Sequence, residues 1–122
     1  NIITQYPQVL SARYGLRENL PIMPDAVNYA KALGEALNEL EMLKVNPEIP
    51  QAAMFHLHFA LPANTLGEKI TDYASNTGVM LLPLPRAEIN GEAICEISIG
   101  RNAMSQPQSF WLRHFKAFLE TL

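Results

Sequence analysis

The chain has 122 residues, which fits one domain that buries roughly two-thirds of its unfolded surface without a disulfide or a metal to hold it. One cysteine excludes an internal disulfide and indicates a reducing compartment, for which the cytoplasm is the default. A formal charge of -3 with interspersed signs leaves no basic stripe for nucleic acid, and no apolar run approaches the ~20 residues that span a bilayer.

The first predicted element is a helix in residues 1–18, in which apolar side chains recur at helical spacing. These side chains are Ile2, Ile3, Tyr6, Val9, Leu10 and Tyr14. Pro21 and Pro24 separate this helix from the next element, so we expect residues 1–20 to be the remnant of an interdomain connection. Asn1 resembles neither an initiator methionine nor the start of a signal peptide, and we therefore expect a missing upstream domain.

A second helix is predicted from Asp25, a natural N-cap, because apolar residues then repeat at intervals of three and four. They are Ala26, Ala30, Leu33, Leu37 and Leu40. Residues 53–60 alternate instead, which predicts a strand with two different faces. One face carries Phe55, Leu57 and Phe59, and the other carries Met54, His56 and His58.

The remaining elements are predicted from turn and cap signals. Thr65 and Glu68 predict a capping box for a third helix, which Gly78 ends, and residues 79–82 predict a buried strand. Asn90 and Gly91 predict a hairpin between two antiparallel strands.

Ser105 and Gln108 predict the start of a last helix with one apolar stripe. The stripe consists of Trp111, Phe115, Phe118, Leu119 and Leu122. This order of elements predicts an α+β fold for residues 21–122, a two-layer sandwich in which helices cover one face of a small, mostly antiparallel sheet.

His56 and His58 form the clearest candidate metal pair, since they point two imidazoles from one face of a strand. A catalytic zinc needs a third protein ligand, and His114, the remaining histidine, lies in the last helix on no obvious line with them. A small metalloenzyme is thus one hypothesis. We favour the simpler interpretation of two histidines at a sheet face or a subunit contact.

No catalytic set emerges from the other reactive side chains. Cys95 lies on the apolar side of its strand, where a thiol has a raised pKa and behaves as a small hydrophobe. The four lysines fall on predicted helix surfaces or at element ends, which disfavours a buried Schiff-base lysine; they are Lys31, Lys44, Lys69 and Lys116. Glu88 and Glu92 flank a turn as surface residues, whereas Glu96 either faces solvent or a neighbouring domain or pairs with Arg86 or Arg101.

Several segments, taken in order, resemble one enzyme family. Residues 6–16 (YPQVLSARYGL) and 20–24 (LPIMP) are followed by residues 54–58 (MFHLH), 77–79 (TGV) and 96–100 (EISIG). Together they resemble the C-terminal third of the threonine aldolase and β-eliminating lyase family, over nearly the whole chain.

The resemblance implies a fold-type-I pyridoxal-phosphate enzyme, whose large domain holds the cofactor through a lysine and whose small C-terminal domain closes over an amino-acid substrate. That lysine would precede Asn1, so this chain would bind no cofactor and would be inactive by itself. The full-length protein would be a homo-oligomer that cleaves β-hydroxy amino acids, typically threonine to glycine and acetaldehyde, with the cofactor as electron sink.

Family members commonly carry an arginine for the substrate carboxylate on the strand that corresponds to residues 93–100. This sequence has Glu96 at the matching position, and a carboxylate does not bind a carboxylate favourably. Arg86 is the first candidate replacement and Arg101 the second, although both can equally be exposed surface arginines. The alternative to the lyase hypothesis is a free-standing α+β binding or interaction module without catalysis.

Overall fold

The computed structural model describes residues 8–11 and 23–122, and within these ranges the chain forms a helical layer on a sheet. The strands are β1 (Gln8–Val9), β2 (Leu43–Asn46), β3 (Met54–Phe59), β4 (Val79–Met80), β5 (Ala87–Ile89) and β6 (Glu92–Ser98). The helices are α1 (Met23–Leu37), α2 (Ala63–Thr77), α3 (Arg101–Met104) and α4 (Gln108–Leu119). Among them, no helix has the length and apolar character that crossing a membrane requires.

The main sheet has four antiparallel strands in the order β2-β3-β6-β5. Its centre is the pair β3 and β6, in which Leu57 lies opposite Cys95. Helices α1 and α2 contact the sheet, and α4 packs against α1. The predicted α+β class, with helices on one face of a small antiparallel sheet, is confirmed.

The core lies between the sheet and the helices, as strand alternation dictates. The buried side chains of β3 and β6 are Phe55, Leu57, Phe59, Ala93, Cys95 and Ile97 on this face. Trp111 and Phe115 of α4 are fully buried in the same core. The Trp111 Nε1–H donates to the Ala103 carbonyl at 2.9 Å, and the Tyr29 hydroxyl donates to the same carbonyl at 3.0 Å, so one acceptor joins α1, α3 and α4.

Two turns have the backbone that their residues predict. Gly78 has φ 76° and donates its N–H to the Ala74 carbonyl at 2.9 Å, which ends α2 as expected. Asn90 and Gly91 have φ of 52° and 80° and connect β5 to β6 in the predicted hairpin.

The helix predicted for residues 1–18 is wrong where it can be compared. Residues 8–11 are extended: β1 pairs in parallel with β4, and Ser11 bridges to Ile99. Val9 and Leu10 are both buried, so successive apolar residues reach the core, and pairing with β4 outweighs the helical spacing. The rest of that predicted helix lies outside the described residues.

Both predicted capping boxes are also wrong. Helix α2 begins before Thr65, directly after Pro62. Helix α4 begins after Ser105, directly after Pro107. Both prolines have an extended backbone. Neither proline makes a side-chain cap. The short strand β2 and the single turn α3 were not predicted at all.

Gly34 in α1 and Gly67 in α2 provide a matched test of the packing. A Cβ at Gly34 would lie 2.5 Å from the Pro50 Cγ, whereas a Cβ at Gly67 would meet nothing closer than 3.8 Å. We predict that Gly34→Ala lowers the free energy of unfolding by about 1–3 kcal/mol through overpacking. Gly67→Ala should raise it by about 0.5–1 kcal/mol through helix propensity.

Urea unfolding of the two variants beside the parent chain measures both values. If the two substitutions change the free energy of unfolding by the same amount, Pro50 does not pack closely against Gly34.

Candidate functional site

The second face of the main sheet is polar and carries the residues that the sequence singled out. We call it the polar face; its members are Lys44, Asn46, Met54, His56, His58, Ile94, Glu96 and Ser98. They share this face because the strand register places Asn46, His56 and Glu96 in one row across the sheet. The alternation of β3 and β6 therefore separates core side chains from candidate site side chains, as predicted for Met54, His56 and His58.

Arg86 and Glu96 form an ion pair beside the polar face. The Arg86 Nη1–H donates to the Glu96 Oε2 at 2.6 Å, and the Arg86 backbone N–H donates to the Ile94 carbonyl at 2.9 Å. The Glu96 side chain is 21% exposed and the Arg86 side chain 56% exposed. The carboxylate is thus anchored on a central strand, while the guanidinium faces solvent.

Among the alternatives left open for Glu96, the structure shows the pairing with Arg86. Arg101 is the first residue of α3, which begins beyond the end of β6, after Gly100. The structure therefore brings Arg86 and Glu96 into contact at the middle of β6 and places Arg101 past its C-terminal end. Their roles toward a substrate stay predictions.

His56 and His58 point to the same face but do not gather a metal site in the part of the chain that the structure describes, where no cluster of three potential ligands occurs. The His58 Nδ1 lies 3.9 Å from the Glu92 Oε1, at the edge of a cavity of about 260 Å³ that Lys44 also lines. The His56 Nε2 is buried and has no hydrogen-bond partner among the described residues.

His114 lies in the helical layer, away from the other two histidines. Its Nδ1 hydrogen bonds to the Tyr73 hydroxyl at 2.5 Å, which joins α4 to α2. For Nδ1 to accept this bond, the imidazole must be neutral with its proton on Nε2. Burial, and then the charge of Arg113, lower the pKa of His114 and so favour this neutral form.

The remaining reactive groups singled out by the sequence are Cys95 and the four lysines, all of which lie within the described residues. Cys95 is fully buried, and desolvation raises the pKa of its thiol to about 12, so the thiol is neutral and unreactive. A Schiff-base lysine needs a low pKa, which enzymes obtain by burial or by a neighbouring cation. Lys31, Lys44 and Lys116 are exposed and Lys69 is only half-buried, so none of the four lysines fits pyridoxal phosphate.

Two contacts that hold the site were not predicted. Glu88 was expected to be a plain surface residue, yet its Oε1 accepts a hydrogen bond from the Ala63 N–H at 2.7 Å and so caps α2. Ser11 Oγ accepts from the Ser98 N–H at 2.9 Å and ties residues 8–11 to β6. The sequence pattern placed the cap of this helix at Thr65 and Glu68 instead, so nothing in the pattern pointed to Glu88.

Two solved structures are similar to this chain over most of its length. One, assigned as an L-allo-threonine aldolase of Listeria monocytogenes EGD-E, has 25% identity and a TM-score of 0.65 over 77% of this chain. The other, assigned as an aromatic amino acid β-eliminating lyase/threonine aldolase of Exiguobacterium sp. 255-15, has 28% identity and a TM-score of 0.67 over 82% of this chain. The resemblance to the threonine aldolase and β-eliminating lyase family is confirmed.

This likeness to the lyase family concerns one part of the neighbouring proteins. The matched region spans 27% of the Listeria chain and 28% of the Exiguobacterium chain. No protein-family model matches the sequence, and no curated protein matches it significantly. The fold and the lyase-like sequence are therefore shared, whereas the activity of a whole lyase does not follow from this region alone.

The lowered pKa of His114 predicts how stability depends on pH. The pKa of His114 in the folded chain is lowered from 6.5, so the unfolded chain takes up the proton first as the solution is acidified. Stability should therefore be constant well above pH 6.5 and fall as pH decreases through 6.5 toward the folded-state pKa.

Chemical unfolding of the parent chain and of His114→Gln, each at pH 8 and pH 5.5, measures this contribution. The parent chain should lose more stability on acidification than the variant does. An identical loss in both would show that His114 is not the group responsible.

Proposed function

We propose that this chain is the C-terminal domain of a pyridoxal-phosphate-dependent lyase that cleaves β-hydroxy amino acids, such as threonine to glycine and acetaldehyde. The observation that carries the proposal is the structural match, which takes up 77–82% of this chain but only 27–28% of the two neighbours. A domain in this position closes over a substrate that another part of the protein binds. By itself it would be inactive.

Arg86 is the residue that we propose for the substrate carboxylate. A guanidinium binds a carboxylate through two parallel N–H···O hydrogen bonds. The Arg86 side chain is exposed, so its guanidinium can offer two such donors to a ligand beside the polar face. Arg101, at the start of α3, is the second candidate. Glu96, on the central strand, would act on the same substrate through Arg86.

The cofactor would be held upstream of this chain, since none of its own lysines fits that role. In this proposal residues 1–20 connect to a cofactor domain, residues 21–122 form the small domain, and the polar face of the sheet is turned toward that cofactor domain. We further propose that the whole protein is a cytoplasmic homo-oligomer.

The runner-up is a free-standing interaction module. It is favoured by the continuous core, in which Trp111, Phe115 and Phe118 are fully buried without any further domain. Both functions predict a folded chain, and they differ in what precedes it.

The lyase proposal makes a prediction about lysine chemistry in the isolated chain. Pyridoxal phosphate should react with the four surface lysines only weakly and without preference, because none of them is buried. Borohydride reduction followed by peptide mass spectrometry should show low labelling spread over Lys31, Lys44, Lys69 and Lys116. An N-acetyl-lysine solution at matched amine concentration gives the reference for non-specific reaction.

Stoichiometric labelling of one lysine would contradict the proposal, because it would place the cofactor site within this chain.

A further inference from the structure

Strand β2 lies at one end of the main sheet, and among the described residues no strand lies beyond it. In an antiparallel pair, every second residue directs its backbone N–H and C=O groups to the partner strand, and the residues between direct theirs away. Val45 directs its groups away from β3, since its N–H donates to the Asn38 side chain. We call this side of β2 the outer edge; it carries the backbone groups of Leu43 and Val45.

The outer edge has the properties of a surface on which another strand can pair. An unpaired strand edge is a template for a further strand, above all where apolar side chains lie beside it. Met42, which is 51% exposed, directly precedes β2, and Ile49, which is 47% exposed, follows it closely. Pro47 has no N–H to donate, so it limits the edge to the four residues of β2.

The Asn38 carboxamide occupies this edge at Val45. Its Oδ1 accepts from the Val45 N–H at 3.2 Å, and its Nδ2–H donates to the Glu48 carbonyl at 2.6 Å. A carboxamide offers an acceptor and donors in one plane, which are the groups that a peptide unit of a neighbouring strand would offer. The Asn38 backbone is fixed by α1, because its N–H donates to the Gly34 carbonyl at 3.0 Å.

The strand that this contact excludes most directly is β2 of a second copy. Two copies of one strand can pair antiparallel around a twofold axis, so that the same residues contribute hydrogen bonds from both sides. Such pairing at the outer edge uses the Val45 N–H of each copy. Asn38 engages that donor in each copy before the two meet.

We propose that Asn38 blocks the outer edge of β2 and thereby prevents strand-to-strand pairing with a second copy of this chain. The block concerns this edge alone and leaves association through other surfaces possible. It does not depend on the proposed lyase function.

The test compares the parent chain with Asn38→Ala, which removes both side-chain hydrogen bonds, and with Asn38→Asp, which keeps an acceptor for the Val45 N–H. Sedimentation velocity measures self-association. Asn38→Ala should associate about ten- to thirty-fold more tightly than the parent, because a pair of copies gains about two backbone hydrogen bonds. Asn38→Asp should associate no more tightly than the parent.

Amide hydrogen exchange, followed by NMR, shows whether the association uses the outer edge. In Asn38→Ala the Val45 N–H should exchange faster than in the parent at low protein concentration. It should regain protection at high concentration, where the second copy supplies a new acceptor. In the parent and in Asn38→Asp, the exchange of this amide should not depend on concentration.

Tyr73→Phe is the matched control for lost stability. It removes the hydrogen bond between the Tyr73 hydroxyl and His114 in the helical layer and leaves the contacts of β2 in place. It should not increase self-association. If Asn38→Ala does not fold, Asn38→Ser takes its place, since the serine hydroxyl ends one bond short of the carboxamide oxygen.

Three results would overturn the proposal. If Asn38→Ala associates no more tightly than the parent, Asn38 only ties α1 to β2. If it associates more tightly without concentration-dependent protection of the Val45 N–H, the contact lies on another surface. If Tyr73→Phe associates as tightly as Asn38→Ala, the cause is lost stability and not an opened edge.

Discussion

The structure depends on one constraint, which is that the helices of residues 23–122 pack on one face of the four-stranded sheet. The central strands β3 and β6 send alternate side chains to opposite faces, so every second residue is committed to the core and the others to the polar face. Leu57 and Cys95 meet in the core, whereas His56 and Glu96 meet one position away on the other side. A one-residue change of register would exchange these two sets. The position of the Arg86–Glu96 pair is thus fixed by the same register that builds the hydrophobic core.

Local signals in the sequence predicted the elements that depend on the backbone preference of a few neighbouring residues. The alternation of residues 53–60, the Asn90–Gly91 turn and the stop at Gly78 each reflect one backbone preference, and the structure has all three. The prediction failed where two distant segments decide the outcome together. Residues 8–11 pair with β4, some seventy positions away, and this pairing outweighs helical spacing. Glu88 of strand β5 accepts a hydrogen bond from the Ala63 N–H at the start of α2, and no local capping motif encodes this contact.

Sequence reasoning named the members of the candidate site, whereas their geometry came only from the structure. The resemblance to lyases drew attention to Glu96 and to Arg86, and the structure joins these two through a hydrogen bond. Sequence patterns could not choose between Arg86 and Arg101, because the choice depends on where the loop before β5 returns to β6. The Arg86 backbone N–H, bonded to the Ile94 carbonyl, places Arg86 beside Glu96. None of the four lysines of this chain is buried, which is why the proposed function places the cofactor in another part of the protein.

The central claim is that this chain works as one domain of a longer lyase. The intact mass of the native protein, isolated from its source cells and measured by mass spectrometry, tests that claim most directly. The account predicts a polypeptide several times heavier than the 13.6 kDa of this chain, since the matched region spans 27–28% of the two solved neighbours. A native protein of 13.6 kDa would contradict the account and leave the free-standing module as the function of this fold.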